Sequence, residues 1–144
     1  MPSEKILFFS EDIDFRYKEK QKTRKWINTI VSQENKKLRS LNIIFCSDSF
    51  LLSINQEYLQ HDTYTDIITF EYSEDDTYIE GDIYISIDRI SENAKNLDNT
   101  FETELKRVII HGVLHLCGYA DKTEKEQQEM RTKEDISLQI FNTI

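Results

Sequence analysis

Residues 101–117, FETELKRVIIHGVLHLC, constrain this chain more than any other stretch. They read as its strongest helix. Val108, Ile109, Ile110, Val113, Leu114 and Leu116 surround two histidines with apolar side chains, and Gly118 stands where a glycine ends a helix. A helix that apolar has to be covered by other elements. The chain has 144 residues, the size of one compact domain, so 1–144 is expected to form a single domain. A hydrophobic fraction of 38%, with eight Phe and seven Tyr, supplies one core. Three Gly and one Pro leave little room for flexible linkers.

The remaining elements follow from periodicity. Residues 4–9 (EKILFF) read as a short strand, and 17–37 as a helix with Trp26, Ile27, Ile30 and Val31 at helical spacing. LNIIFC, 41–46, reads as a strand. Asp48 or Ser49 is expected to cap a helix through about Tyr58, with Phe50, Leu51, Ile54 and Tyr58 on one face. A polar loop, QHDTYT, leads into the strand DIITFEY. A turn, EDDTYIEG, precedes GDIYISID, where Ile83, Ile85 and Ile87 alternate with Asp82, Tyr84 and Ser86. A helix starts over 88–97, and a last charged helix covers 123–142 with Met130, Ile136, Ile140 and Phe141 inward. The order β-α-β-α-β-β-α-α-α predicts an α+β fold with one mixed sheet of about four strands and helices packed on it.

No apolar run is long enough to span a membrane, and the N-terminus has only a four-residue apolar patch, so a cytoplasmic protein is expected. Cys46 and Cys117 read as buried small hydrophobes, with a redox or ligand role for Cys117 as the lesser alternative. The net charge of −9 opposes whole-molecule attraction to nucleic acid. Lys18, Lys20, Lys22, Arg24 and Lys25, and then Lys36, Lys37 and Arg39, form basic clusters that read as solvated helix faces.

His111 and His115 carry the chemistry. A spacing of four turns the helix by about 400°, so both rings leave one face about 6 Å apart along the axis. That suits two ligands of one divalent ion, with zinc the first choice. Imidazoles in an apolar setting need partners, and a metal supplies them. A catalytic zinc usually has three protein ligands and an open position. Beyond the Gly118 stop the chain turns back, which makes Asp121 the best third ligand, with Asp62 and His61 as distant alternatives. Gly112 inside the helix implies the close approach of another backbone or a substrate. It also stands where a HExxH peptidase carries its general base, which counts against proteolysis.

HGVLHLCGYAD resembles the signature of the YbeY-type rRNA maturation endoribonucleases, H-G-x-L-H-L-x-G-Y-D-H, without a gap from His111 through Tyr119. Ile54-Asn55 with Tyr58, the run Thr65–Phe70 (TDIITF) and the run Gly81–Ser86 (GDIYIS) are similar to further family motifs in the same order. The family's third histidine falls at Asp121, and its arginine after the aromatic falls at Leu59. Carboxylate oxygen binds zinc at about the distance imidazole nitrogen does, and the harder ligand set makes other divalent metals credible. Lys122 and Arg89 are the alternatives for the missing positive charge.

The resemblance implies a zinc-dependent endoribonuclease that prefers single strands. It would act in maturation of the 3′ end of small-subunit (16S) rRNA and in ribosome quality control, with the small ribosomal subunit or its proteins as partners. His111, His115 and Asp121 would hold one ion and its water, whose pKa zinc lowers to about 7. A metal-dependent hydrolase of another substrate and a non-catalytic assembly factor with a structural metal are the alternatives. Thr65 and Asp66 stand at a loop-to-strand junction, where Asp66 either orients a ligand or pins a turn. Asp82 and Tyr119 read as structural, and His61 as a loop bystander able to titrate near neutrality. Cys117 points off the ligand face and reads as packing.

Overall fold

Parallel strands need a crossover connection, whereas antiparallel ones can be joined by a tight turn; the chain uses both. The computed structural model describes residues 5–59 and 65–144. Its elements run β1 (Ile6–Ser10), α1 (Lys20–Gln33), β2 (Lys37–Cys46), α2 (Asp48–Tyr58), β3 (Ile67–Glu71), β4 (Tyr78–Ser86), α3 (Ile87–Asn96), α4 (Phe101–Leu116) and α5 (Glu124–Phe141). The sheet order is β1-β2-β4-β3. β1 and β4 each lie parallel to β2, and β3 is antiparallel to β4. This is the α+β fold with a mixed four-stranded sheet that the element order predicts.

Strand alternation sorts the side chains onto two faces. Leu41, Ile43, Phe45, Ile79, Ile83 and Ile85 join the main core with Trp26, Ile27, Ile30 and Val31 of α1 and with the apolar residues of α4. Cys46 and Ile68 pack with Leu51 and Ile54 of α2 in a second cluster. α4 is covered as its composition requires: Ile109, Ile110, Val113 and Leu114 have 0% exposure.

Several boundaries differ from the sequence reading. α1 stops at Gln33 rather than residue 37, because Asn35 takes a left-handed φ of 59°. Lys37 and Arg39 therefore sit on β2, not on a helix face. The cap of α2 is Ser47, whose Oγ accepts from the Phe50 N–H, rather than Asp48 or Ser49. β4 starts three residues before Gly81 because the longer β2 offers Lys37 as a partner for Tyr78. Ile87 opens α3 instead of continuing the alternation, with the Ser86 hydroxyl capping that helix. Tyr58 is exposed, its ring edge-on to Phe70. On α5 the inward row is Met130, Glu134, Ser137 and Phe141, while Ile136 faces out.

Two glycines mark close packing. A Cβ on Gly112 would stand 2.8 Å from Ile67 Cδ1 and 3.0 Å from Ile83 Cδ1. The close approach at Gly112 is thus made by side chains of the sheet, not by a backbone or a substrate. A Cβ on Gly81 would stand 2.4 Å from the Phe70 carbonyl oxygen. Isoleucine tips can turn aside, but a carbonyl tied into a sheet cannot. Gly112→Ala also gains about 1 kcal/mol of helix propensity, so its net effect is expected to be small. Gly81→Ala is expected to lose about 1–3 kcal/mol through overpacking. Urea unfolding of the two variants side by side checks this ordering, and equal midpoints would contradict it.

Candidate metal centre

The centre is assembled by one helix end and the turn that follows it. His111 and His115 lie one turn apart on α4, their ring centroids 4.6 Å apart and their planes at 81°. Gly118 then adopts a φ of 111°. Its N–H donates to the His115 carbonyl and the Tyr119 N–H donates to the Leu114 carbonyl, each at 3.0 Å. These two bonds are the Schellman pattern that ends a helix and reverses the chain. The reversal returns Asp121 to the histidines, its Oδ2 3.2 Å from His111 Nε2 and 3.3 Å from His115 Nε2. One ligand atom from each of the three residues lies within 4.8 Å of the others.

The outer nitrogens are also held. His111 Nδ1 donates to Glu134 Oε2 at 2.6 Å, and His115 Nδ1 donates to the Tyr119 carbonyl at 2.9 Å. With both Nδ1 atoms protonated, each neutral ring turns its Nε2 lone pair toward Asp121. Three lone pairs aimed at one point repel each other unless a cation lies between them, so this donor set fits a divalent ion. Glu134 is itself fixed: Arg107 Nη1 donates to its Oε1 at 3.0 Å, and Arg107 Nη2 donates to Asp135 at 2.9 Å. Burial alone would lower the His111 pKa. The Glu134 hydrogen bond and charge, with Asp121 and Asp66, outweigh it and raise the pKa above the usual value.

Asp66, Ile67, Arg107, Val108, His111, Asp121 and Glu134 line a pocket of about 230 Å³ beside the histidines. Asp66 accepts from Asn93 Nδ2 at 3.3 Å. Burial pushes its carboxyl above the ordinary range, against the opposing charge of His111. Burial likewise raises the carboxyl of Glu104, two turns before His111 on α4, and its Oε1 has no hydrogen-bond partner among the described residues.

The other residues singled out in the sequence lie elsewhere. Asp82 accepts from Asn42 Nδ2 and from the Tyr72 hydroxyl within the sheet. The Tyr119 hydroxyl donates to Glu34, and the Thr65 hydroxyl donates to the Ile67 carbonyl. Cys117 is buried in the main core, and burial pushes its thiol up to about 12. Arg89 pairs with Asp48 at 2.7 Å, and Lys122 and Leu59 are exposed. His61 and Asp62 fall outside the described residues. The sequence reading missed Glu134 and Arg107. Glu134 carried a signal: a carboxylate at 134 falls in step with Met130, Ser137 and Phe141.

The family model for endoribonuclease YbeY matches residues 8–142. The chain belongs to the endoribonuclease YbeY family. A curated relative from Cytophaga hutchinsonii, named endoribonuclease YbeY, is 51% identical over 140 residues, covering 97% of this chain and 98% of its own. One of the same name from Amoebophilus asiaticus is 54% identical over 138 residues, covering 96% and 94%. A Thermotoga maritima protein with a known solution structure superposes with a TM-score of 0.67 at 31% identity, over 94% of this chain and 88% of its own. The YbeY family match thus spans β2 to β4, α4, the Gly118 turn and α5, and so all the parts that build the centre. Among the described residues of this YbeY-family chain, no helix is long and apolar enough to cross a membrane.

Proposed function

We propose that this chain is a metal-dependent endoribonuclease cutting single-stranded RNA in the cytoplasm. In this reading it acts in maturation of the 3′ end of small-subunit rRNA and in ribosome quality control, at the small ribosomal subunit. His111, His115 and Asp121 hold one divalent ion, zinc in the first instance. The observation that carries the reading is the convergence of two Nε2 atoms and one carboxylate oxygen, each imidazole fixed from behind. The relatives' name, endoribonuclease, supports RNA as the substrate.

A divalent ion in such a ligand set supplies Lewis-acid charge, lowering the pKa of a water toward neutrality and drawing charge from a phosphoryl oxygen. The chain's own residues do the rest. Glu134 and the Tyr119 carbonyl keep the rings oriented, and Arg107 keeps Glu134 in place. Asp66 lines the same pocket and accepts from Asn93 Nδ2. Peptides are disfavoured by more than the missing glutamate. A Cβ at position 112 would already stand 2.8 Å from Ile67 Cδ1, so a glutamate there would need the sheet side chains to shift.

The test is cleavage by the purified, zinc-loaded chain, offered single-stranded RNA, double-stranded RNA and a peptide library. Single-stranded RNA is expected to be cut, with activity lost on chelation and restored by zinc. Peptide cleavage, or an ion-loaded chain that leaves RNA intact, overturns the reading.

A further inference from the structure

A phosphodiester brings a negative charge toward a chain whose net charge is −9, so long-range electrostatics oppose its approach. The pocket beside His111 adds three carboxylates, Asp66, Asp121 and Glu134. One cationic side chain lines that pocket, Arg107. It stands one helical turn before His111, hence on the same face of α4. Of the other nearby cations, Arg89 pairs with Asp48, Lys133 pairs with Glu34 at 3.1 Å beside the Tyr119 ring, and Lys122 is exposed next to Asp121 and does not line the pocket.

Arg107 is built for more than holding Glu134. A guanidinium carries five N–H donors in a rigid fork. Nη1 bonds Glu134 and Nη2 bonds Asp135, and among the described residues these are its hydrogen bonds. Two donors anchor the plane from behind and three are left. The side chain keeps 17% of its surface open, so a ligand can reach it. A fork already held in place loses little freedom on meeting an anion, and its geometry matches phosphate oxygens.

We propose that Arg107 donates hydrogen bonds to a non-bridging phosphate oxygen of RNA bound at the metal centre, serving as the pocket's phosphate contact. This rests on the endoribonuclease reading above. The alternative is that Arg107 acts only through Glu134. Binding of a labelled single-stranded RNA to the zinc-loaded protein, by fluorescence anisotropy across a salt titration, separates the two. Each phosphate neutralised on a single strand contributes about 0.7 to the slope of log affinity against log salt. Arg107→Gln is expected to bind roughly tenfold more weakly and to flatten that slope by about 0.7. Arg107→Lys is expected to keep the slope. Glu134→Gln removes the carboxylate charge, keeps an amide oxygen able to accept from Arg107 and leaves the guanidinium charge in place, so it is also expected to keep the wild-type slope. Metal content is read on the same samples. A slope in Arg107→Gln equal to that in Glu134→Gln overturns the proposal, whether or not both variants lose their ion. Wild-type protein that neither binds nor cuts RNA removes the function reading itself, a result distinct from a wild type that binds and an Arg107→Gln that matches it.

Discussion

Asp121→Ala is expected to lose its divalent ion and stay folded. Asp121 lies on the turn after α4 with a half-exposed side chain, and its carboxylate meets the two Nε2 atoms. Its truncation opens no cavity in the core, so with the ion removed from both, variant and wild type should unfold at nearly the same temperature. The ligand set drops from three to two, below what a catalytic zinc site usually has. Loss of a residue that merely orients a ligand costs about 10–100-fold in affinity or activity, and removal of a ligand itself should exceed that. Elemental analysis after dialysis is expected to find about one ion per chain in the wild type and a small fraction of that in the variant. Asp121→His should restore the ion, because nitrogen and oxygen donors meet zinc at nearly the same distance. Undiminished metal in Asp121→Ala would remove Asp121 from the ligand set.

What the sequence made legible here is what is local in the chain. His111 and His115 share a face by helical geometry alone, and Asp121 follows within one glycine turn. All three positions were readable before any tertiary contact was known. Glu134 comes 23 residues after His111. Its part in the centre depends on how α5 lies against α4, which periodicity does not specify. Apolar spacing in α5 points Ile136 inward, yet it is exposed. The helix instead buries Glu134, whose carboxylate meets His111 and Arg107, and with it Ser137 one turn on, whose backbone carbonyl accepts from the Trp26 indole. The early end of α1 has the same character. Lys36 and Lys37 are good helix formers, but Asn35 takes a left-handed turn and β2 claims Lys37 as a partner for Tyr78. Likewise Gly112 could be read as a close approach, but only the sheet shows that Ile67 and Ile83 make it.

Trp26→Ala is expected to be the most damaging change remote from the centre. Trp26 is fully buried, its ring edge-on to Phe141 with centroids 5.0 Å apart, and its Nε1–H donates to the Ser137 carbonyl at 2.6 Å. Truncating a buried tryptophan costs about 3–5 kcal/mol, a large share of the roughly 5–15 kcal/mol that holds a domain folded. The indole also fixes α5 three residues past Glu134, on the same inward row. Losing it lets α5 shift and loosens the carboxylate that orients His111. Zinc affinity is therefore expected to fall by about 10–100-fold, as for loss of a partner that orients a ligand. Leu51→Ala supplies the comparison. Leu51 is as deeply buried, but it lies in the cluster under α2, across the sheet from α5. It should cost about 2–5 kcal/mol and leave zinc affinity unchanged in the folded fraction. Urea unfolding and zinc titration of both variants decide the matter. Equal losses of affinity would trace the effect to general loosening, whereas a loss confined to Trp26→Ala would trace it to the anchoring of α5.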